Sequence, residues 1–314
     1  MVHSLRNATR LIAATAFALL LASCGGSNDT PAAPPLFSKT YIFGASVSDT
    51  GNACNLSPSS CTPNPPYASP RWSNGPVFAE LLANRYGGTA TPSRLGGTNY
   101  AYGGARTGAI AGAPQSVPNM VEQVDQYLTS VNLQANPQFL YVIDAVTVGN
   151  DIVVALTQSA TNPNAPATIL TGAVTNIVGI VNRLYAAGAR HILLTNSTDI
   201  GKTPQAQALG AAAVAGATQM SNQFNGALAQ QLAGMRANPG LNLYYLDIGQ
   251  LTAEAMANPA SLGYTNVTQP CFNNLASPPT LCSTPGTYFY WDSFHPTATT
   301  HNLSYQRAVA AIGR

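Results

Sequence analysis

The chain has 314 residues, enough for one large domain or two small ones, and 46% of them are hydrophobic. Charged residues make up only 8%, the formal net charge is +2, and Lys and Arg form no run. This balance argues against a solvating charged tail and against nucleic acid as a partner, and it supplies enough apolar residues for a sizeable core.

The first two dozen residues read as targeting sequence, to be set aside before any fold reasoning. Arg6 and Arg10 form a positive start, and Leu11 to Ala22 is an apolar stretch too short for a comfortable membrane span. It ends in Leu21-Ala22-Ser23-Cys24-Gly25, which resembles a bacterial lipobox. Residues 1–23 are therefore expected to be a lipoprotein signal peptide, with Cys24 lipidated as the first mature residue. An ordinary secretory signal is the alternative, and both readings export the protein. Gly25 stands where many inner-membrane lipoproteins carry Asp, which leans towards the outer membrane. Without residues 1–23, 11 basic residues face 11 acidic ones, so steering of a charged substrate is not suggested.

Residues 24–37 are small, polar and Pro-rich, a tether. The folded domain is expected over 38–314. Lys39 to Phe43 reads as a short strand entering a Gly turn and a helix. Cys54 to Pro70, dense in Pro, Ser and Asn, reads as a loop. Pro76 to Tyr86 looks helical, with Pro early, where its missing N–H costs little. Ala101 to Gly108 is a Gly-rich turn, and Phe139 to Val148 a buried strand. Ala167 to Ala187 has helical spacing through Ile169, Val174, Ile177, Ile180 and Leu184, and stops at Gly188. His191 to Leu194 is another buried strand, with His191 a structural strand residue. Gln205 to Met235 reads as one long helix weakened by Gly210 and Gly216, and Leu241 to Leu246 as a further strand. Ser261 to Tyr290 reads as a long loop. Thr297 to Ile312 is the closing helix, with His301 on its surface.

Strands alternating with helices predict one α/β domain, a three-layer α/β/α sandwich around a mostly parallel sheet. Active sites in such sheets gather beyond the carboxyl ends of the strands. The turns after Phe43, Val148, Leu194 and Leu246 are thus the functional side. Export favours disulfides, and proximity in sequence suggests Cys54–Cys61 and Cys271–Cys282, each closing a small loop. Neither pair has zinc-type spacing to a His, so no metal is expected, and no cofactor signature is read.

Four segments carry chemistry. In Trp291-Asp292-Ser293-Phe294-His295-Pro296, a short turn can return the Asp292 carboxylate to the His295 ring and fix its tautomer. Ser46, in Gly44-Ala45-Ser46-Val47-Ser48-Asp49, sits on a strand-to-helix turn, where a helix N-cap is the competing role. Gly104 offers a bare backbone N–H, or marks a tight turn. Asn150, after a predicted strand, offers a carboxamide, or caps a loop. The Ser46 and Gly104 amides and the Asn150 side chain are three donors suited to an oxyanion.

Together and in this order the segments resemble the GDSL family, the SGNH hydrolases. Gly44-x-Ser46-x-Ser48-Asp49-x-Gly51-Asn52 looks like its nucleophile block and Asn99-Tyr100-Ala101-Tyr102-Gly103-Gly104 like its glycine block. Gly149-Asn150-Asp151 looks like the asparagine block and Asp292-x-x-His295-Pro296 like the Asp/His block. The sequence departs at Ala45, where the family usually carries Asp.

The resemblance implies a flavodoxin-like fold, a Ser46/His295/Asp292 triad, an oxyanion hole of Ser46, Gly104 and Asn150, and no cofactor. The implied activity is that of an esterase or lipase on esters of many sizes: acylglycerols, lysophospholipids, acetylated sugars or thioesters. Tyr67, Tyr100, Tyr102, Tyr288, Tyr290 and Trp291 line an apolar acyl groove or pack loops. A membrane anchor favours lipid or lysolipid substrates. Acyl transfer to an alcohol uses the same chemistry. A tethered binding module that has lost turnover, with Ala45 as its trace, is a rival of another class.

Overall fold

The computed structural model describes residues 36–313. The expected signal peptide, Cys24 and nearly all of the tether lie outside them.

Four short strands form the central sheet: β1 (Thr40–Phe43), β2 (Leu140–Ile143), β3 (His191–Thr195) and β4 (Asn242–Leu246), in the order β1-β2-β3-β4 and all parallel. Beyond β1 the segment 98–102 runs alongside without becoming a full strand. The Ile42 amide donates to Thr98 at 3.1 Å and the Tyr100 amide to Ile42 at 2.8 Å. The register pairs Phe43 with Ile143 and Ile143 with Leu194, so the strands end together at one edge.

Side chains on successive strand residues point to opposite faces, and both faces here are apolar. Phe43, Tyr141, Ile143, Ile192 and Leu194 enter one core layer; Ile42, Leu140, Val142 and Leu193 enter the other. Helices α1 (Asn52–Leu56), α2 (Phe78–Arg85), α3 (Met120–Ser130), α4 (Val148–Ser159), α5 (Ala165–Ala186), α6 (Pro204–Ala208), α7 (Ala211–Arg236), α8 (Ile248–Ala257) and α9 (Ala298–Ile312) follow in chain order. Residues of α3, α4, α5 and α7 cover the first face, and residues of α2, α8 and α9 the second. The architecture is the expected α/β sandwich with a parallel sheet.

Several local expectations change. The strand predicted over Phe139–Val148 stops at Ile143, because Asp144 caps a 3-10 turn over Ala145–Thr147 that runs into α4. Asn150 therefore stands in the first turn of a helix and not on a loop. The predicted Gln205–Met235 helix is two helices, broken at Gly210, whose φ of +92° is left-handed and suits glycine. Helix α3 has no counterpart in the sequence reading, although Asn119 and Glu122 form a capping box at its start. The segment that carries Ser46 enters a turn, with helix α1 beginning only at Asn52. His301 is not on the surface: it is 1% exposed, and its Nδ1 accepts from the Phe78 amide of α2 at 3.3 Å. Burial first, and His295 nearby second, push its pKa down to about 3, so it is neutral.

The predicted loop 261–290 holds two small ladders. Strand β5 (Asn266–Pro270) pairs in parallel with β8 (Tyr288–Tyr290), and β6 (Phe272–Asn273) pairs with β7 (Thr280–Leu281). Disulfides join Cys54 to Cys61 and Cys271 to Cys282.

Candidate active site

The site lies where β1 ends. Gly44 leaves β1 against Asp144 of the neighbouring strand end, with no room for a side chain: a Cβ would stand 2.9 Å from the Asp144 Cβ. Gln123 of α3 brackets the same peptide, accepting from the Gly44 N–H at 2.9 Å and donating to its carbonyl at 2.9 Å. The turn is thus gripped from two sides before it presents Ser46. Ala45 packs into a small cluster with Tyr102, Ala105 and Val117.

The remaining polar residues of the segment act as staples. The buried Asp49 carboxylate accepts from the amides of Gly51, Asn52, Ala53 and Gly103. Burial raises its pKa, and these bonds oppose the rise. Asn52 donates to the Asn99 and Ala101 carbonyls, and Asn99 donates to the Ser48 carbonyl and Thr50 hydroxyl. Segments about 50 residues apart are thereby fixed side by side. Ser48 donates to Asp144 at 2.6 Å, beneath the turn. Burial pushes the Asp144 carboxyl up to about 6, against its bonds from Ser48, Val146 and Thr195.

The Ser46 oxygen lies 2.9 Å from His295 Nε2, although the two residues are 249 apart in sequence. On the other side of the ring, Nδ1 lies 2.9 and 2.8 Å from the two Asp292 oxygens. Asp292 Oδ1 also accepts the amides of Phe294 and His295, at 2.8 and 2.7 Å. The Tyr67 hydroxyl donates to Oδ2 at 2.7 Å. Burial works to raise the Asp292 pKa, yet the His295 charge and these donors hold it below the ordinary carboxylate range. Trp72, half-buried, lies against the imidazole at 5.2 Å between ring centres.

Gly104 is exposed in a left-handed conformation, φ +81°, that favours glycine, and open space surrounds where its Cβ would be. Asn150 donates to the Ala105 carbonyl at 2.6 Å. A carboxamide has two N–H groups, so this bond orients the side chain and leaves one donor over. Asp151 accepts from the Thr107 amide and hydroxyl, at 3.0 and 2.7 Å, and burial pushes it up to about 6. These bonds tie the start of α4 to the segment that carries Gly104. Among the described residues, no group of three or more His, Cys, Asp or Glu forms a metal site.

Of the six aromatic residues expected to line a groove or pack loops, Tyr67, Tyr100, Tyr102, Tyr290 and Trp291 are buried and Tyr288 is half-buried. Packing is what the structure gives them. The sequence reading missed Gln123, Asp144 and Trp72 around the site, and carried Asp49 only as part of the nucleophile block, without its role as a staple. Arg71-Trp72-Ser73-Asn74-Gly75 was the available signal for Trp72, a compact polar and aromatic run between the predicted loop and the predicted helix. Ser73 donates to the Pro296 carbonyl and Asn74 accepts from the Ala298 amide.

A parallel α/β sheet with a Ser–His–Asp hydrogen-bonded path beyond its strand ends defines the class of protein. Residues 41–308 match the GDSL-like Lipase/Acylhydrolase model, and the chain belongs to that family. The chain is 28% identical over 242 residues to the phosphatidylcholine-sterol acyltransferase of Aeromonas hydrophila, covering 76% of this chain and 66% of that protein, just under two thirds. It is 23% identical over 309 residues to the GDSL esterase/lipase EXL3 of Arabidopsis thaliana, covering 83% and 84%. Among solved structures it is similar to the lipase Lip_vut3 from a goat rumen metagenome, with 13% identity, coverage of 87% and 96%, and a TM-score of 0.43. Family and relatives support a hydrolase acting on esters.

Proposed function

We propose that this protein is an exported serine ester hydrolase of esterase or lipase type, with Ser46 as nucleophile, His295 as base and Asp292 as orienting carboxylate. The observation that carries the proposal is the unbroken hydrogen-bonded path from the Ser46 oxygen through both ring nitrogens of His295 to Asp292.

His295 Nε2 takes the Ser46 proton as the oxygen attacks the ester carbonyl carbon. The negative charge that develops on the carbonyl oxygen is held by the Ser46 and Gly104 amides and the free N–H of Asn150. The ester C–O bond then breaks, and His295 gives its proton to the departing alcohol. Water attacks the acyl-enzyme, losing a proton to His295, and the acid leaves as Ser46 regains its proton.

Acyl transfer to an alcohol is the second reading, because one relative is named an acyltransferase. It differs only in which hydroxyl attacks the acyl-enzyme. The lipobox favours lipid or lysolipid esters as substrates, with Cys24 as the membrane anchor and the domain beginning near residue 38. The two disulfides fit an oxidising compartment.

Protein lacking residues 1–23, incubated with a fluorophosphonate probe and a short p-nitrophenyl ester, tests the central reading. Probe on Ser46 and loss of nearly all turnover in Ser46→Ala are the expected results. An unlabelled protein without turnover refutes it and leaves a tethered binding module, whereas a Ser46→Ala variant that keeps its rate refutes it by moving the nucleophile elsewhere. Adding a long-chain alcohol and identifying products as acid or ester separates hydrolysis from transfer.

A further inference from the structure

We propose that Tyr67 is a positioning residue for the relay, acting through the hydroxyl it places on Asp292; this rests on the serine-hydrolase reading above. Asp292 is 2% exposed, so each carboxylate oxygen depends on protein donors for its solvation. Oδ1 has two backbone amides in addition to the imidazole. Oδ2 has only the imidazole and the Tyr67 hydroxyl among its recorded partners. The Tyr67 bond therefore balances the carboxylate and sets its tilt towards His295 Nδ1.

Tyr67 is built to hold that position. Its ring meets Phe272 and Trp291 nearly at right angles, with centroids 5.6 and 6.0 Å away, in a cluster that includes Cys271. Its amide donates to the Pro63 carbonyl, and the Ala68 amide donates to the Ser73 carbonyl. Arg71 pairs with both oxygens of Glu80, and its carbonyl accepts from Thr62. Ser73, Asn74 and Gly75 then grip the far side of the His295 loop at Pro296 and Ala298. One segment thus holds the Asp292–Ala298 loop at both ends. Burial and the Asp292 charge push the Tyr67 pKa up, so the group stays an O–H donor across the working pH range.

Two effects follow from the hydroxyl. It fixes the carboxylate in the plane that fits the imidazole, and it draws off part of the negative charge that would otherwise hold the imidazolium. Tyr67→Phe keeps the packed ring and removes only the donor. Its kcat on a short p-nitrophenyl ester should fall about tenfold with KM within about twofold, as loss of one hydrogen bond to a charged group predicts. The acid limb of its kcat/KM profile should move to higher pH, since a less neutralised carboxylate keeps the imidazole protonated longer. In an Asp292→Ala background the same change should cost little more, because both carboxylate oxygens are gone.

A Tyr67→Phe enzyme with wild-type kcat and an unmoved acid limb overturns the proposal. So does an equal loss in the Asp292→Ala background, which marks a general packing effect. Failure of the parent reading is recognised separately, by the absence of fluorophosphonate on wild-type Ser46. The downfield proton resonance of His295 Nδ1–H still decides the matter in that case. It should shift or broaden in Tyr67→Phe, and an unchanged resonance sinks the positioning role.

Discussion

At the scale of single residues, hydrogen-bond inventory separates what holds the site from what acts in it. Asp49, Asn52 and Asn99 spend their recorded bonds on backbone groups and neighbouring side chains, and so stitch segments together. Asn150 spends one N–H on Ala105 and keeps another. If that second donor meets the oxyanion, Asn150→Ala should lower kcat by about 10²–10³ with a much smaller change in KM. Steady-state kinetics on a soluble ester read this directly. Ala45 has a plain local reason as well: it is 3% exposed against Tyr102, Ala105 and Val117, where a carboxylate in its place would meet apolar neighbours.

At the scale of elements, the ends of strands and helices position the proposed catalytic groups. Strand β1 gives way to a glycine, Gly44, where the neighbouring strand end brings Asp144 within contact of any side chain. Gly44→Ala should force the two strand ends apart and tilt the Ser46 turn. The expected cost is about 1–3 kcal/mol of stability, as for overpacking in a close-packed core. Urea unfolding and kcat should both register it, and a variant with wild-type values in both would show that the contact relaxes freely. The α9 end of the site is held differently. Thr297 caps α9 by accepting from the Thr300 amide, and the Asn74 side chain takes the Ala298 amide. His295 thus stands on a turn whose exit is pinned.

At the scale of the whole molecule, buried titratable groups set opposing pH dependences. His301 is depressed to about 3 from 6.5, so the unfolded chain binds the proton first. Its contribution is fully present above about pH 6.5 and is lost as pH falls towards 3. Asp144 and Asp151 are raised from 3.8 to about 6, so their contributions are present at low pH and are lost as pH rises through about 6. Replacing His301 with Asn keeps an acceptor for the Phe78 amide and removes the titration. Thermal melts of His301→Asn should therefore fall less than wild type between pH 6.5 and 4. Asp144→Asn should gain on wild type as pH rises from 4 to 8. A His301→Asn curve parallel to wild type would contradict the burial argument.

What was legible in the sequence, and what was not, divides by range. Short apolar runs alternating with helical patterns predicted a parallel α/β sheet, since strands buried on both faces are apolar along nearly their whole length. The four short blocks around Ser46, Gly104, Asn150 and His295 could be read because each carries its chemistry within a few neighbouring residues. Helix α3 escaped, although its capping box is local, and the helix break at Gly210 was read only as a weakness.

Burial of His301 and the reach of Tyr67 to Asp292, 225 residues away, left no local signal. Their positions depend on which elements pack together, and a side chain's own neighbours in sequence say nothing of that. Sequence determined which groups this chain has available. Tertiary structure alone decided which of them meet, because Ser46 and His295 are joined by packing across the sheet and not by the chain between them.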